Sequence, residues 1–151
     1  MAKGRIVIPG TLFFLFLVFI LFSDVLLIAR VQEHSMEPSL DPGQWILIRR
    51  GDRNILRGEV LVFPSPESRQ LMVKRCMLRG GDPIVIDGYW LQAGGSRYYL
   101  SRSQQAFLQS YDRVPQGFLL LLGDNQFHSH DSRDFGFIPE QEVLGRVILK
   151  P

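Results

Sequence analysis

Cysteine is almost missing from this chain: Cys76 is the single one among 151 residues. No intrachain disulfide can form, so packing and hydrogen bonding must hold the fold. That suits a reducing compartment, or an oxidising one in which the fold needs no covalent staple. An excess of charge of either sign is missing too. The 17 basic and 15 acidic residues leave a net charge of +2, which is not the footprint of a nucleic-acid binder. Histidine is scarce, with three in all: His34, His128 and His130. Two of them with Asp131 would make a thin metal site lacking a distant third ligand. There is no phosphate-binding glycine loop, no repeat and no low-complexity linker. The expectation is no metal, no cofactor and no nucleic-acid partner.

What the chain does have is one long uncharged run. Residues 6–23 read IVIPGTLFFLFLVFILFS, and after Asp24 the apolar pattern resumes as VLLIA to Ala29. As a helix, Ile6–Ala29 would span roughly 36 Å, enough to cross a hydrocarbon core of about 30 Å. The run is apolar all round, unlike an amphipathic core helix. It is longer than the apolar core of a cleaved secretory signal, and FSDVLLIAR offers no good cleavage site. Lys3 and Arg5 precede it, which places the N-terminus in the cytoplasm by the positive-inside rule. Residues 1–30 are thus expected to be a cytoplasmic N-terminus and transmembrane anchor in the lipid bilayer. Residues 31–151 are expected to form one domain on the outer, extracytoplasmic face of the cell inner membrane.

About 120 residues then remain, enough for one hydrophobic core. Few stretches show helical periodicity. Short apolar runs bounded by Gly, Pro and Asp read instead as strands: WILI (45–48), EVLVF (59–63), LMVKRCML (71–78), PIVI (83–86), YWLQ (89–92), FLLLL (118–122) and VILK (147–150). Asp87-Gly88 between two such runs predicts a hairpin. Residues 101–113 are polar and suit a short helix or a loop. The fold class is mainly β: a compact antiparallel β domain behind a single N-terminal transmembrane helix.

Ser35, in HSMEPSL just after the apolar run, is a candidate nucleophile, which needs a base within hydrogen-bond reach. His34 is a poor one, because adjacent side chains on an extended chain face opposite ways. His128 and His130 flank Ser129 in GDNQFHSHDSRDFG and suit a base or a polar loop equally. Lys74 lies inside a strand-like run, where alternation puts Met72, Lys74, Cys76 and Leu78 on one face. A lysine there either snorkels to water from an edge or is desolvated, and burial lowers its pKa. Neutrality near pH 8 requires a drop of roughly two to three units, about 3–4 kcal/mol. The residues alone leave a Ser–Lys pair, a Ser–His pair and a polar loop all open. Cys76, on the same probable strand, reads as a packing residue.

Three stretches together resemble the sequence boxes of the type I signal peptidase family, the membrane-bound Ser–Lys endopeptidases: HSMEPSL (34–40), VKR (73–75) and GDNQFHSHDSRDFG (123–136). They occur in the family's order behind an N-terminal anchor. GEVLVFPSP, VPQGFLLLLGDN and FGFIPEQEVLGRVI add weaker agreement, so the likeness runs from about Val25 to the C-terminus. The resemblance implies Ser35 as nucleophile and Lys74 as general base, with Ser129 orienting the lysine amine. It implies Met36 near the substrate pocket, and Arg75–Asp124 and Asp131–Arg133 as supporting pairs. The Ser35 backbone N–H would donate to the oxyanion. The implied partner is a preprotein signal peptide, bound as an extended strand and cut after small residues in an Ala-x-Ala-like pattern. One departure is Glu33, where many bacterial members carry Ser or Gly. A carboxylate cannot supply the second oxyanion donor, and Glu33 is expected to turn to solvent. Two other readings accompany this one: a specialised peptidase for one or a few substrates, as in a mitochondrial inner membrane, and an anchored module that binds preproteins without cutting.

Overall fold

The computed structural model describes residues 25–51 and 54–149. Among them lie strands β1 (Leu26–Arg30), β2 (Trp45–Arg50), β3 (Val60–Pro64), β4 (Leu71–Arg79), β5 (Val85–Asp87), β6 (Trp90–Ala93) and β7 (Ser96–Tyr99). Helix α1 (Arg102–Gln109), β8 (Phe118–Leu122), the short helix α2 (Ser132–Phe135), β9 (Ile138–Pro139) and β10 (Gly145–Leu149) follow. A seven-stranded sheet runs in the order β1-β2-β10-β3-β4-β8-β9, and β5-β6-β7 form a smaller one. Neighbouring strands pair antiparallel throughout. This is the mainly β, antiparallel domain expected from the sequence.

The middle of the large sheet is buried on both faces, which explains its unbroken apolar runs. Leu119 and Leu121 of β8 pack with Leu61, Phe63, Cys76 and Ile138 on one side. Leu120 and Leu122 pack with Met77, Leu78, Leu91 and Leu108 on the other. Each fully buried leucine contributes about 1.5–3 kcal/mol. Val62 of β3 feeds a third cluster with Val31, Met36, Leu40, Ile46 and Ile48.

Strand β4 does not alternate to its end. Its register against β8 shifts between Cys76 and Leu78, the mark of a β-bulge. Met72 and Cys76 stay with one cluster, while Met77 and Leu78 both join the other. The face expected to hold Met72, Lys74, Cys76 and Leu78 therefore loses Leu78.

Local chemistry sets the turns. Gly94 and Gly95 between β6 and β7 sit at φ +58° and +80°, the two positive values that a tight two-residue hairpin demands. Asp87 faces Trp90 across the expected β5–β6 hairpin. Helix α1 begins with a reciprocal capping box: Ser101 Oγ accepts from Gln104 N (3.3 Å), and Gln104 Oε1 from Ser101 N (2.8 Å).

The N-terminal expectation needs one correction. Leu26–Arg30 is a strand in register with β2, not the end of a helix running through Ala29. Leu27 and Ala29 pack against the core, whereas Ile28 is 65% exposed. A short apolar run has no period that separates strand from helix, and pairing with β2 decided it. Residues 6–24, the rest of the expected anchor, lie outside the described residues. Among the described ones, no helix is long and apolar enough to cross a membrane.

Candidate active site

Strand β1 delivers the chain to a single 3₁₀ turn, His34–Met36. Met36 is driven into the cluster of Leu40, Ile46 and Ile48 and is 1% exposed. This anchors the turn one residue beyond Ser35, which is itself 5% exposed. Met36 is thus a core residue whose burial fixes the neighbouring serine.

Lys74 comes from the middle of β4, opposite Leu61 of β3. It is 1% exposed, and its Nζ lies 2.6 Å from Ser35 Oγ. Among the described residues that is the amine's hydrogen-bond contact, so an ammonium here would leave donors unsatisfied. Burial pushes the lysine pKa below its ordinary value; Asp131 and then Glu33 pull it partly back, and Arg133 lowers it further. The neutral amine is the form this surrounding favours, and a neutral amine accepts the hydroxyl proton.

The loop after β8 supplies the scaffold. Arg75, next to Lys74, makes a forked pair with Asp124 at 2.8 and 2.6 Å. Its guanidinium also donates to Ser39 Oγ (3.1 Å) and the Gly58 carbonyl (2.6 Å). Asp131 is fully buried and holds Arg133 through two 2.9 Å bonds. The same carboxylate accepts from Gly123 N (2.9 Å) and caps α2. Ser132 Oγ accepts from Leu121 N at 3.0 Å. The loop is therefore pinned to both β8 and α2.

Ser129 departs from expectation. Its Oγ is buried and has no hydrogen-bond partner among the described residues, so the expected bond to the lysine amine is not formed. The side chain lies directly over Gly123, where an added Cβ would come 2.5 Å from Ser129 Cβ. Lys74 Nζ meanwhile points its contact at Ser35.

The histidines bond elsewhere. His34 Nδ1 faces Glu37 Oε1 at 3.0 Å, and His128 Nδ1 faces Asn125 Oδ1 at 3.3 Å. His130 sits between Glu67 (2.9 Å) and Asp134 (3.3 Å). Glu33 is exposed, as expected. Among the described residues, no group of three His, Cys, Asp or Glu side chains could hold a metal ion.

Two residues of the site escaped sequence reasoning. Gly123 lets Ser129 and the Ser35 carbonyl close onto the backbone. Asn125 donates its backbone N–H to the Ser35 carbonyl at 3.0 Å. The available signal was the GDN tripeptide at the end of an apolar, largely buried strand.

The family model described as "Signal peptidase, peptidase S26" matches residues 5–150. This chain belongs to the signal peptidase family, peptidase S26. The peptidase is accordingly a serine endopeptidase, a hydrolase of peptide bonds. It is 29% identical over 136 residues to signal peptidase I of Bacillus caldolyticus, covering 78% of this chain and 74% of that protein. It is 33% identical over 129 residues to mitochondrial inner membrane protease subunit 2 of Danio rerio, covering 80% and 61% respectively. A crystal structure of a signal peptidase I from Enterococcus faecalis matches at 26% identity and a TM-score of 0.48, covering 63% of the peptidase and 97% of that chain.

Proposed function

We propose that the peptidase removes signal peptides from exported preproteins with Ser35 as nucleophile and Lys74 as general base. The observation that carries this reading is the 2.6 Å approach of Nζ and Oγ in a buried setting. The neutral amine takes the Ser35 hydroxyl proton as Oγ attacks the scissile carbonyl. The Ser35 N–H stabilises the oxyanion. The ammonium then protonates the departing amine, leaving an acyl-enzyme. Water, deprotonated by the same amine, releases the signal peptide's new carboxylate and restores Ser35. Asp131–Arg133 and Arg75–Asp124 hold the lysine strand and the loop in place, and Met36 fixes the serine turn.

In this reading the uncharged run ahead of residue 24 anchors the protein in the bilayer, N-terminus inside and peptidase domain on the outer face. The substrate lies extended against a strand edge, with small residues at the cut. Similarity to mitochondrial inner membrane protease subunits and the carboxylate at Glu33 favour a second reading, a dedicated peptidase with few substrates.

The test is cleavage of a panel of signal-peptide precursors in liposomes, comparing the parent with Ser35→Ala and Lys74→Ala from pH 6 to 10. Cleavage after small-x-small is expected. It should vanish in both variants and rise in the parent through an apparent pKa below the usual lysine value. Activity surviving in Lys74→Ala would sink the Ser–Lys assignment. Turnover of one precursor alone would select the dedicated reading.

A further inference from the structure

We infer that Asn125 is a positioning residue that locks the Ser35 turn onto the β8 loop through Glu37; this rests on the Ser–Lys reading above. Its backbone N–H donates to the Ser35 carbonyl at 3.0 Å. Its side-chain Nδ2 donates to the His34 carbonyl at 3.2 Å and reaches Glu37 Oε2 at 3.4 Å. Glu37 Oε1 in turn faces His34 Nδ1 at 3.0 Å. One side chain therefore ties the residues before and after the serine to each other and to itself.

The loop offering these donors is itself fixed on both sides of Asn125. Gly123 N is held by Asp131 (2.9 Å), the Gln126 carbonyl accepts from Arg133 Nη2 (2.9 Å), and Gln126 Oε1 accepts from Tyr99 N (3.2 Å). Lys74 belongs to a sheet strand and cannot follow the turn. Movement of residues 34–37 away from β4 would thus open the Nζ–Oγ distance. Asn125 touches neither reacting group; it acts on the turn that carries one of them.

The experiment uses the full chain in detergent with a cleavable precursor. Asn125→Ala should lower kcat about 10- to 100-fold, with KM within threefold of the parent and the alkaline limb of the pH profile unmoved. Asn125→Asp should do at least as badly, because it loses both Nδ2 donors and sets a carboxylate against Glu37. Adding Glu37→Gln to Asn125→Asp restores an amide–carboxylate pair in reverse, without the bond to the His34 carbonyl, and should recover part of the loss. Hydrogen exchange reads the lock without catalysis. The amides of Glu37 and Leu40, bonded to the His34 and Met36 carbonyls, should exchange about tenfold faster in Asn125→Ala. A folded Asn125→Ala with parental kcat, a loss carried by KM, or no recovery in the swap would overturn the proposal. Unchanged exchange would overturn it even if the parent cleaved nothing. Faster exchange with an inactive parent would support the lock while refuting the peptidase reading.

Discussion

Gly123 has no side chain, and its place in the site makes Gly123→Ala an informative perturbation. A Cβ there would stand 2.6 Å from the Ser35 carbonyl oxygen and 2.5 Å from Ser129 Cβ, whereas ordinary contact begins at 3.4 Å. Rotation about χ1 moves the Ser129 Oγ but not its Cβ, so that clash falls on the loop backbone. The Ser35 carbonyl cannot turn aside either, because Asn125 N–H holds it at 3.0 Å. The missing separation, 3.4 less 2.6, is about 0.8 Å. Moving the serine turn by that amount would carry Oγ out of its 2.6 Å contact with Lys74. Overpacking of this kind costs about 1–3 kcal/mol of stability, and a misplacement near 1 Å costs on the order of 10²-fold in rate. The assay is steady-state cleavage of a precursor alongside thermal unfolding. The control is Gly88→Ala, at φ +56° with nothing within 4 Å, which should cost some stability and no rate. Gly123→Ala keeping kcat within threefold of the parent would refute the argument that the backbone approach sets the serine's place.

Lys74→Met is expected to abolish cleavage yet leave the protein at least as stable as the parent at pH 7, because it removes the cost of burying the amine. Burial depresses the Lys74 pKa. Between that lowered value and about 10.4 the unfolded chain binds a proton that the folded one does not, so the parent's stability climbs with pH there. The methionine variant's advantage should shrink over the same window in denaturant titrations at pH 7 and 10. A constant advantage, or a Lys74→Met protein that is less stable at pH 7, would contradict the cost assigned to the buried amine. Cys76, whose thiol is pushed by burial to about 12, should resist iodoacetamide at pH 8 while folded and react on denaturation, as read by mass spectrometry.

Strand runs whose pattern was local were legible from the residues. FLLLL gave β8 with its observed bounds, because both of its faces are buried and its neighbours are turn formers. Strand β7, SRYY, was not legible: only Tyr98 of its four residues is buried, so no apolar alternation marks it. The β4 bulge was invisible as well, since register against a partner strand cannot be read from one strand's own pattern. At the site, a lysine in an apolar strand was a strong local signal. Its meeting with a serine 39 residues away depends on the order of strands in the sheet, which family resemblance supplied and periodicity could not. Asn125 escaped because the two groups it holds beside the nucleophile, the His34 and Ser35 carbonyls, are backbone groups, which look alike at every position.

Strand β1 also makes the molecule a gauge. Ser35 lies ten residues after Val25, so it can stand at most about 35 Å from that point. Half of that stretch is stiffened by pairing with β2. If the residues ahead of 25 are held in a membrane plane, as in the proposed function, the nucleophile is presented at one height above that plane instead of roaming on a slack leash. A substrate tethered in the same plane would be cut at a distance measured by the protein, so lengthening the stretch ahead of β1 would shift where the cut falls.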